Sequence, residues 1–279
     1  MTTRKRAIQS IVTLLLILSS NSGIGQNIGP SSQSRPVPIQ IQADEGIKWD
    51  QKRQVYIAKG NAFAQQGENS LHADLLYAWY VRLDGKTSKI FKINAEGNVS
   101  IKSPEHSAYG KKGLYLIDKG LMVLTGNPKL LTSSEKITAG DSIEFWNLKN
   151  LAIARGDATI FRGTQRMRAD VLTAYLAKQK NGGTALRSIE ADNNVLISTA
   201  TQIIRAERAS YNVAAGIIKL FKNVRITRGE SQLNGDRALV DLNTGTSQIF
   251  GAGMDQVRGF IVPERNSSGS GVLGRGSKP

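Results

Sequence analysis

The stretch Gly97-Asn98-Val99-Ser100-Ile101 returns 96 residues later as Asn193-Asn194-Val195-Leu196-Ile197, a turn-forming pair followed by apolar residues at alternate positions. Apolar side chains spaced two apart put one dry face on an extended strand; a helix would space them three or four apart. The same signature stands at Gly60-Asn61, Gly126-Asn127, Gly156-Asp157 and Lys222-Asn223. From one Asn-like position to the next the steps are 37, 29, 30, 37 and 29 residues, so 37 followed by 29 occurs twice. Self-similarity at such a period marks a repeat architecture, here a three-unit block duplicated in tandem.

Other landmarks keep the same offset. Ala73-Asp74 maps to Ala169-Asp170, Tyr115 to Tyr211 and Gly120 to Gly216, and an Asp84-Gly85 turn falls beside Asn181-Gly182. A second signature opens another strand in each unit, at Ala73-Asp74, Gly110-Lys111, Gly140-Asp141, Ala169-Asp170, Ala206-Glu207 and Gly235-Asp236. Two and four residues beyond the Asp-like position come Leu76 and Ala78, Gly113 and Tyr115, Ile143 and Phe145, Leu172 and Ala174, Ala209 and Tyr211, and Ala238 and Val240. All are apolar or glycine, with residues such as Glu144, Thr173 and Ser210 between them. After the Asn positions, Val99 and Ile101, Ala158 and Ile160, Val195 and Ile197, and Val224 and Ile226 share one phase.

Two short strands joined by Gly, Asn or Asp turns cannot bury such a face alone, so successive units must stack on one another. The expected fold is all-β: an elongated antiparallel β-jelly-roll, or slightly opened V, built from a tandemly duplicated strand-pair repeat. Glycine at these landmarks supplies positive φ. Because the Asp landmarks recur in every unit, they are read as turn residues satisfying nearby N–H groups, not as a catalytic set.

Composition agrees with this reading and bounds the function. The chain has 279 residues, 28 of them Gly and none Cys, so disulfides and thiolate chemistry are excluded. Residues 1–25 read as a signal peptide, with a basic n-region of Arg4, Lys5 and Arg6 and an apolar run from Ala7 to Leu18. That run is shorter than the ~20 residues of a spanning helix, so cleavage and export are expected. A polar leader (26–37), a first repeat block (38–155), a second block continuing the stack (156–262) and a disordered basic tail (263–279) complete the organisation. The net charge of +15 falls to +12 once the signal is removed, which favours an anionic partner. For an exported chain that partner is an anionic lipid headgroup or acidic glycan and not nucleic acid.

Little else carries chemistry. His72 and His106 stand in no ligand-like spacing, and Gly251-Ala252-Gly253 reads as a turn. No nucleophile–base constellation is visible, so no enzyme activity, metal or cofactor is expected. Trp49, Trp79 and Trp146 are assigned to core packing.

Residues 38–155 resemble the OstA-like family that includes LptA. The resemblance lies in Pro38-Ile39-Gln40-Ile41-Gln42-Ala43-Asp44, Gly60-Asn61-Ala62, Gln66-Gly67, Leu71-His72-Ala73-Asp74, the run from Tyr115 through Leu121-Met122-Val123-Leu124-Thr125-Gly126-Asn127, and Ala139-Gly140-Asp141. It implies a β-jelly-roll with an apolar interior that stacks head to tail by strand addition, bridging inner- and outer-membrane components and carrying lipopolysaccharide across the periplasm. Family positions lining the lipid path match Ile39, Tyr115 and Ile117. With the dry phases, the expected lining is Ile39, Ile41, Leu76, Val99, Ile101, Tyr115, Ile117, Ile143, Phe145, Leu172, Val195, Ile197, Tyr211, Val213, Val224 and Ile226. The second block is a departure from a short family member. The alternatives are an LptC-like component anchored in the inner membrane, or a structural or glycan-binding β-solenoid without lipid.

Overall fold

The computed structural model describes residues 39–83, 87–178, 184–252 and 256–262. The expected signal peptide, leader and tail lie outside the described residues, as do the Asp84-Gly85 and Asn181-Gly182 turns. What is described forms one 18-stranded sheet, antiparallel at every pairing, so the all-β expectation holds.

Long strands carry most of it: β3 (Val55–Gln66), β4 (Asn69–Leu83), β5 (Thr87–Lys102), β6 (Ser107–Leu116), β11 (Leu151–Arg162), β12 (Gln165–Lys178), β13 (Thr184–Ser198), β14 (Ile203–Asn212), β15 (Ile217–Arg228) and β16 (Ser231–Asp241). Elsewhere two short strands share one rung. These are β1 (Gln40–Gln42) with β2 (Gly46–Asp50), β7 (Leu121–Thr125) with β8 (Lys129–Leu131), β9 (Lys136–Thr138) with β10 (Ser142–Trp146), and β17 (Thr246–Phe250) with β18 (Arg258–Phe260). On one arm β1, β8, β9 and β18 pair with one half of the long strands; on the other, β2, β7, β10 and β17 pair with the opposite half. A lone sheet has nothing but itself to cover a dry face, and this one folds along its length so that its two arms face each other.

The crease is made by the Gly-Asn landmarks, and here the turn reading is corrected. Except for Gly126-Asn127, which connects β7 to β8, these pairs do not join strands; they sit inside β3, β5, β11, β13 and β15. All the pairs have φ between 44° and 81° at both residues. Two residues therefore oppose one on the neighbouring strand: Gly60 and Asn61 face Asp74, and Asn193 and Asn194 face Glu207. Such a bulge bends a strand, and bulges in register across a stack bend the whole sheet along one line. Consecutive left-handed residues also make the tight hairpin turn, so the local sequence cue is the same for both.

The Asp landmarks are corrected as well, since they hold the crease from outside. Asp74 accepts the Asn98 side-chain amide at 3.2 and 3.0 Å, Asp170 accepts that of Asn194 at 3.0 Å to both oxygens, and Glu207 accepts that of Asn223. Inside the crease only small side chains fit: Ala62 and Ala158 are wholly buried, as nearly are Val99, Ala169 and Val224. Copy one joins copy two without a break, because β7 pairs with β10, β10 with β11 and β11 with β12.

Candidate functional site

Between the arms, apolar side chains line up from strand to strand. On the arm containing β2, Ile47 lies opposite Ala58, Ala58 opposite Leu76 and Leu76 opposite Ala95. That row runs on through Gly113, Leu124, Ile143, Ala154 and Leu172 to Ala238 and Ile249 without a polar residue. On the facing arm a row starts at Ile41 and Ala64 and passes Ile101, Ile137, Ile160 and Ile197 to Ile226 and Leu233. Cross-strand pairs of this kind are what stabilise a sheet face, and their continuity makes a single dry trough.

Most expected lining residues stand on these rows. Ile41, Ile101, Ile197 and Ile226 lie on one arm, Leu76, Ile143 and Leu172 on the other. Tyr115, Phe145 and Tyr211 form part of a second row, nearer the mouth, while Val99, Val195 and Val224 sit at the crease. Ile39 is at the open edge beside β1. Two of the expected residues lie beyond their strands: Ile117 opens a 3-10 turn after β6 ends at Leu116, and Val213 lies in the turn after β14. Counting by twos continued past the strand ends; Val213 nevertheless packs on the core of the second copy. The sequence reading missed Ile93, Ile189, Ile218 and Leu220, which lie upstream of the Gly-Asn pairs. Their signal was present, because the alternation runs backward through Ala95 and Ala191 to Ile93 and Ile189.

The two copies differ in how tightly the trough is closed. Ile197, Tyr211 and Ile218 of the second copy are buried, at 2–3% exposure, whereas their counterparts Ile101, Tyr115 and Met122 are only half-buried. An open cleft of about 390 Å³, part of it solvent, lies at the β1–β2 end. Ile39, Ile41 and Ala64 line it from one arm, and Ile47, Tyr56, Ala58, Leu76, Ala78, Ile90 and Ile93 from the other. At its rim Trp49 stacks on Tyr56 with centroids 5.7 Å apart and donates Nε1–H to the Tyr80 hydroxyl at 2.8 Å. Trp49 is 52% exposed, so the assignment of all three tryptophans to the core is corrected. Trp79 and Trp146 are half-buried, with Lys92 and Lys149 over their rings, a cation–π arrangement.

Charge enters the trough in the second copy. The Arg162 guanidinium donates to Glu135, and both side chains are largely covered. Burial pushes the Tyr211 hydroxyl up from its ordinary pKa, and the Arg162 charge pulls it back down. Arg162, on one arm, therefore acts on Tyr211 of the other. Tyr115 is raised by burial alone. Of the two histidines, His72 packs on Phe63 at 4.5 Å and His106 lies at the Ser103–His106 turn. Among the described residues, no group of three or more His, Cys, Asp or Glu is placed to hold a metal ion, and no helix is long and apolar enough to cross a membrane.

Comparison with known proteins gives the following. Residues 40–147, and again 136–246, match a family described as LptA/(LptD N-terminal domain) LPS transport protein. No match was found among curated proteins. Among solved structures the chain is similar to the crystal structure of LptH, the LptA homologous periplasmic component of the conserved lipopolysaccharide transport device from Pseudomonas aeruginosa. That similarity is at 14% identity and covers 46% of this chain and 95% of that one, with a TM-score of 0.39.

Proposed function

The chain belongs to the LptA/(LptD N-terminal domain) family of LPS transport proteins, and from that membership we propose that it is a non-enzymatic carrier, sheltering lipopolysaccharide acyl chains between its arms. The observation that supports this reading is the unbroken pair of apolar rows, opening as a cleft at the β1–β2 end. Burial of a methylene is worth ~0.8 kcal/mol, so an acyl chain of about twelve carbons left in water costs on the order of 10 kcal/mol. A carrier crossing an aqueous compartment needs a continuous dry surface. The excess of 37 Lys and Arg over 22 Asp and Glu suits a cargo bearing phosphates and acidic sugars. A periplasmic location, included in the proposal, has its support in the basic n-region and short apolar run of residues 1–25.

A photo-crosslinking side chain at Ile93, inside the cleft, is expected to capture lipopolysaccharide, whereas the same probe at the adjacent Lys92, on the other strand face, is not. The readout is a lipid-bearing band on immunoblots; equal capture at both positions, or at neither, would refute the carrier reading.

We further propose head-to-tail assembly through the two open edges. Exposed strand edges invite pairing with another chain, and large apolar residues are exposed at both: Ile47 and Trp49 at one, Phe250, Phe260 and Ile261 at the other. Contacts between unlike edges propagate without closing, so the expected species are short filaments. Phe260→Lys should shift sedimentation toward the monomer at concentrations where the unmodified protein associates; an unchanged distribution would remove this edge from the assembly.

A further inference from the structure

We propose that the two copies of the repeat have divided the work: the first holds the standing acyl-chain site, and the second is a more tightly packed segment whose mouth carries the Glu135–Arg162 ion pair. This rests on the carrier reading and deepens it, by saying where along the trough the chains sit.

Across the offset of 96 residues the strand register is the same, yet Ile101, Tyr115 and Met122, half-buried in the first copy, correspond to the buried Ile197, Tyr211 and Ile218, while Ala78 and Tyr80, buried in the first copy, correspond to the half-buried Ala174 and Leu176. The cause lies in a few exchanges. Ala64 and Ala108, which face the trough in the first copy, correspond to Ile160 and Ile204 in the second. Each exchange replaces a methyl by a sec-butyl group, and Ile160 stands where Ala64 lines the cleft of the first copy. Protein interiors tolerate few voids, so a segment filled by its own side chains has no room for a guest.

The mouth differs in polarity too. Ile39 and Gln66 of the first copy correspond to Glu135 and Arg162, an ion pair whose two side chains are largely covered. An acyl chain entering there would have to displace a largely covered charge pair, and separating such a pair is costly. At the rim, Trp49, Tyr56 and Tyr80 of the first copy become Phe145, Ala152 and Leu176. Apolar rings with a polar handle suit a boundary where lipid tail meets water, and in the first copy Trp49 and Tyr56 stand there, with Trp49 bonded to the buried Tyr80 hydroxyl. The ligand class is apolar acyl chains, because the cleft is lined by aliphatic and aromatic side chains.

Because the native chain contains no cysteine, single cysteines report cleanly. Ile93→Cys and its counterpart Ile189→Cys are each alkylated with a small apolar maleimide, with and without lipopolysaccharide. Cys at 93 should react quickly and be slowed by lipopolysaccharide at least about tenfold, a difference of ~1.4 kcal/mol. Cys at 189 should react slowly in both conditions. Adding Arg162→Gln and Ile160→Ala, which restore first-copy residues, should make Cys at 189 both reactive and lipid-protected. The reciprocal Ala64→Ile should slow Cys at 93 and abolish its protection, so the test survives if the opened variant fails to fold. Fast, lipid-protected reaction at 189 in the unmodified background would overturn the division while leaving the carrier reading standing. No protection at 93 in that background would overturn both.

Discussion

Leu220→Ala should lower stability by about 3–5 kcal/mol, and Leu124→Ala, the same position in the first copy, by only about 2–3 kcal/mol. Leu220 is wholly buried, and the residues directly opposite it on its two neighbouring strands are Ala209 and Ala238. Alanines cannot swing into the space that a missing isobutyl group leaves, so the cavity persists and adds to the lost transfer energy. Leu124 is 5% exposed and lies between Gly113 and Ile143, in the less tightly closed copy. Collapse or solvent entry there relieves part of the cost. Urea unfolding followed by far-UV circular dichroism measures both. Equal losses would mean that the two copies are packed alike, contrary to the burial difference between Tyr211 and Tyr115.

The second large effect is expected at the crease. Gly97 has φ of 73°, and a Cβ placed there would stand 2.0 Å from Asp74 Oδ2. A left-handed conformation costs a non-glycine residue roughly 1–2 kcal/mol, and the Asp74 carboxylate must leave its place on the Asn98 amide. That hydrogen bond contributes about 1 kcal/mol more, so Gly97→Ala should destabilise by roughly 2–3 kcal/mol. A double-mutant cycle separates the two contributions. In an Asp74→Ala background the clash with the carboxylate is gone, leaving a 2.9 Å approach to the Cβ of residue 74 and the backbone cost, so the penalty for Gly97→Ala should fall by up to about half. An undiminished penalty would place the whole effect in the backbone. Asn193 occupies the corresponding site in the second copy at φ 61°, as expected of a residue type that tolerates this region.

These crease positions show where local reading succeeds and where it stops. Alternation after Asn98 and Asn194, and two and four residues beyond Asp74 and Asp170, identified trough-facing side chains without coordinates, because a strand's side-chain period is set by its own backbone. The 96-residue offset likewise made the duplication visible, and with it the resemblance to a family of elongated β proteins. The Gly-Asn pairs, by contrast, read in the sequence as links between strands, and in the fold all but Gly126-Asn127 are bulges within them. Two consecutive left-handed residues bend a chain whether its flanks pair with each other or with separate neighbours, and only pairing across the sheet distinguishes hairpin from bulge.

The sequence by itself thus determined the secondary structure, the tandem copy and the identity of the dry face, all of which depend on contacts between residues close in the chain or on its own periodicity. Tertiary structure alone decided that the bulges fall in register to fold one sheet into two arms, that Ile117 and Val213 leave their strands, and that Tyr211 is buried where Tyr115 is half-buried. Those outcomes depend on which side chains face one another across the trough, as Ile39, Ile41 and Ala64 face Ile47, Tyr56 and Ile93 around the cleft. Such meetings occur between residues of opposite arms, where no spacing along the chain records them.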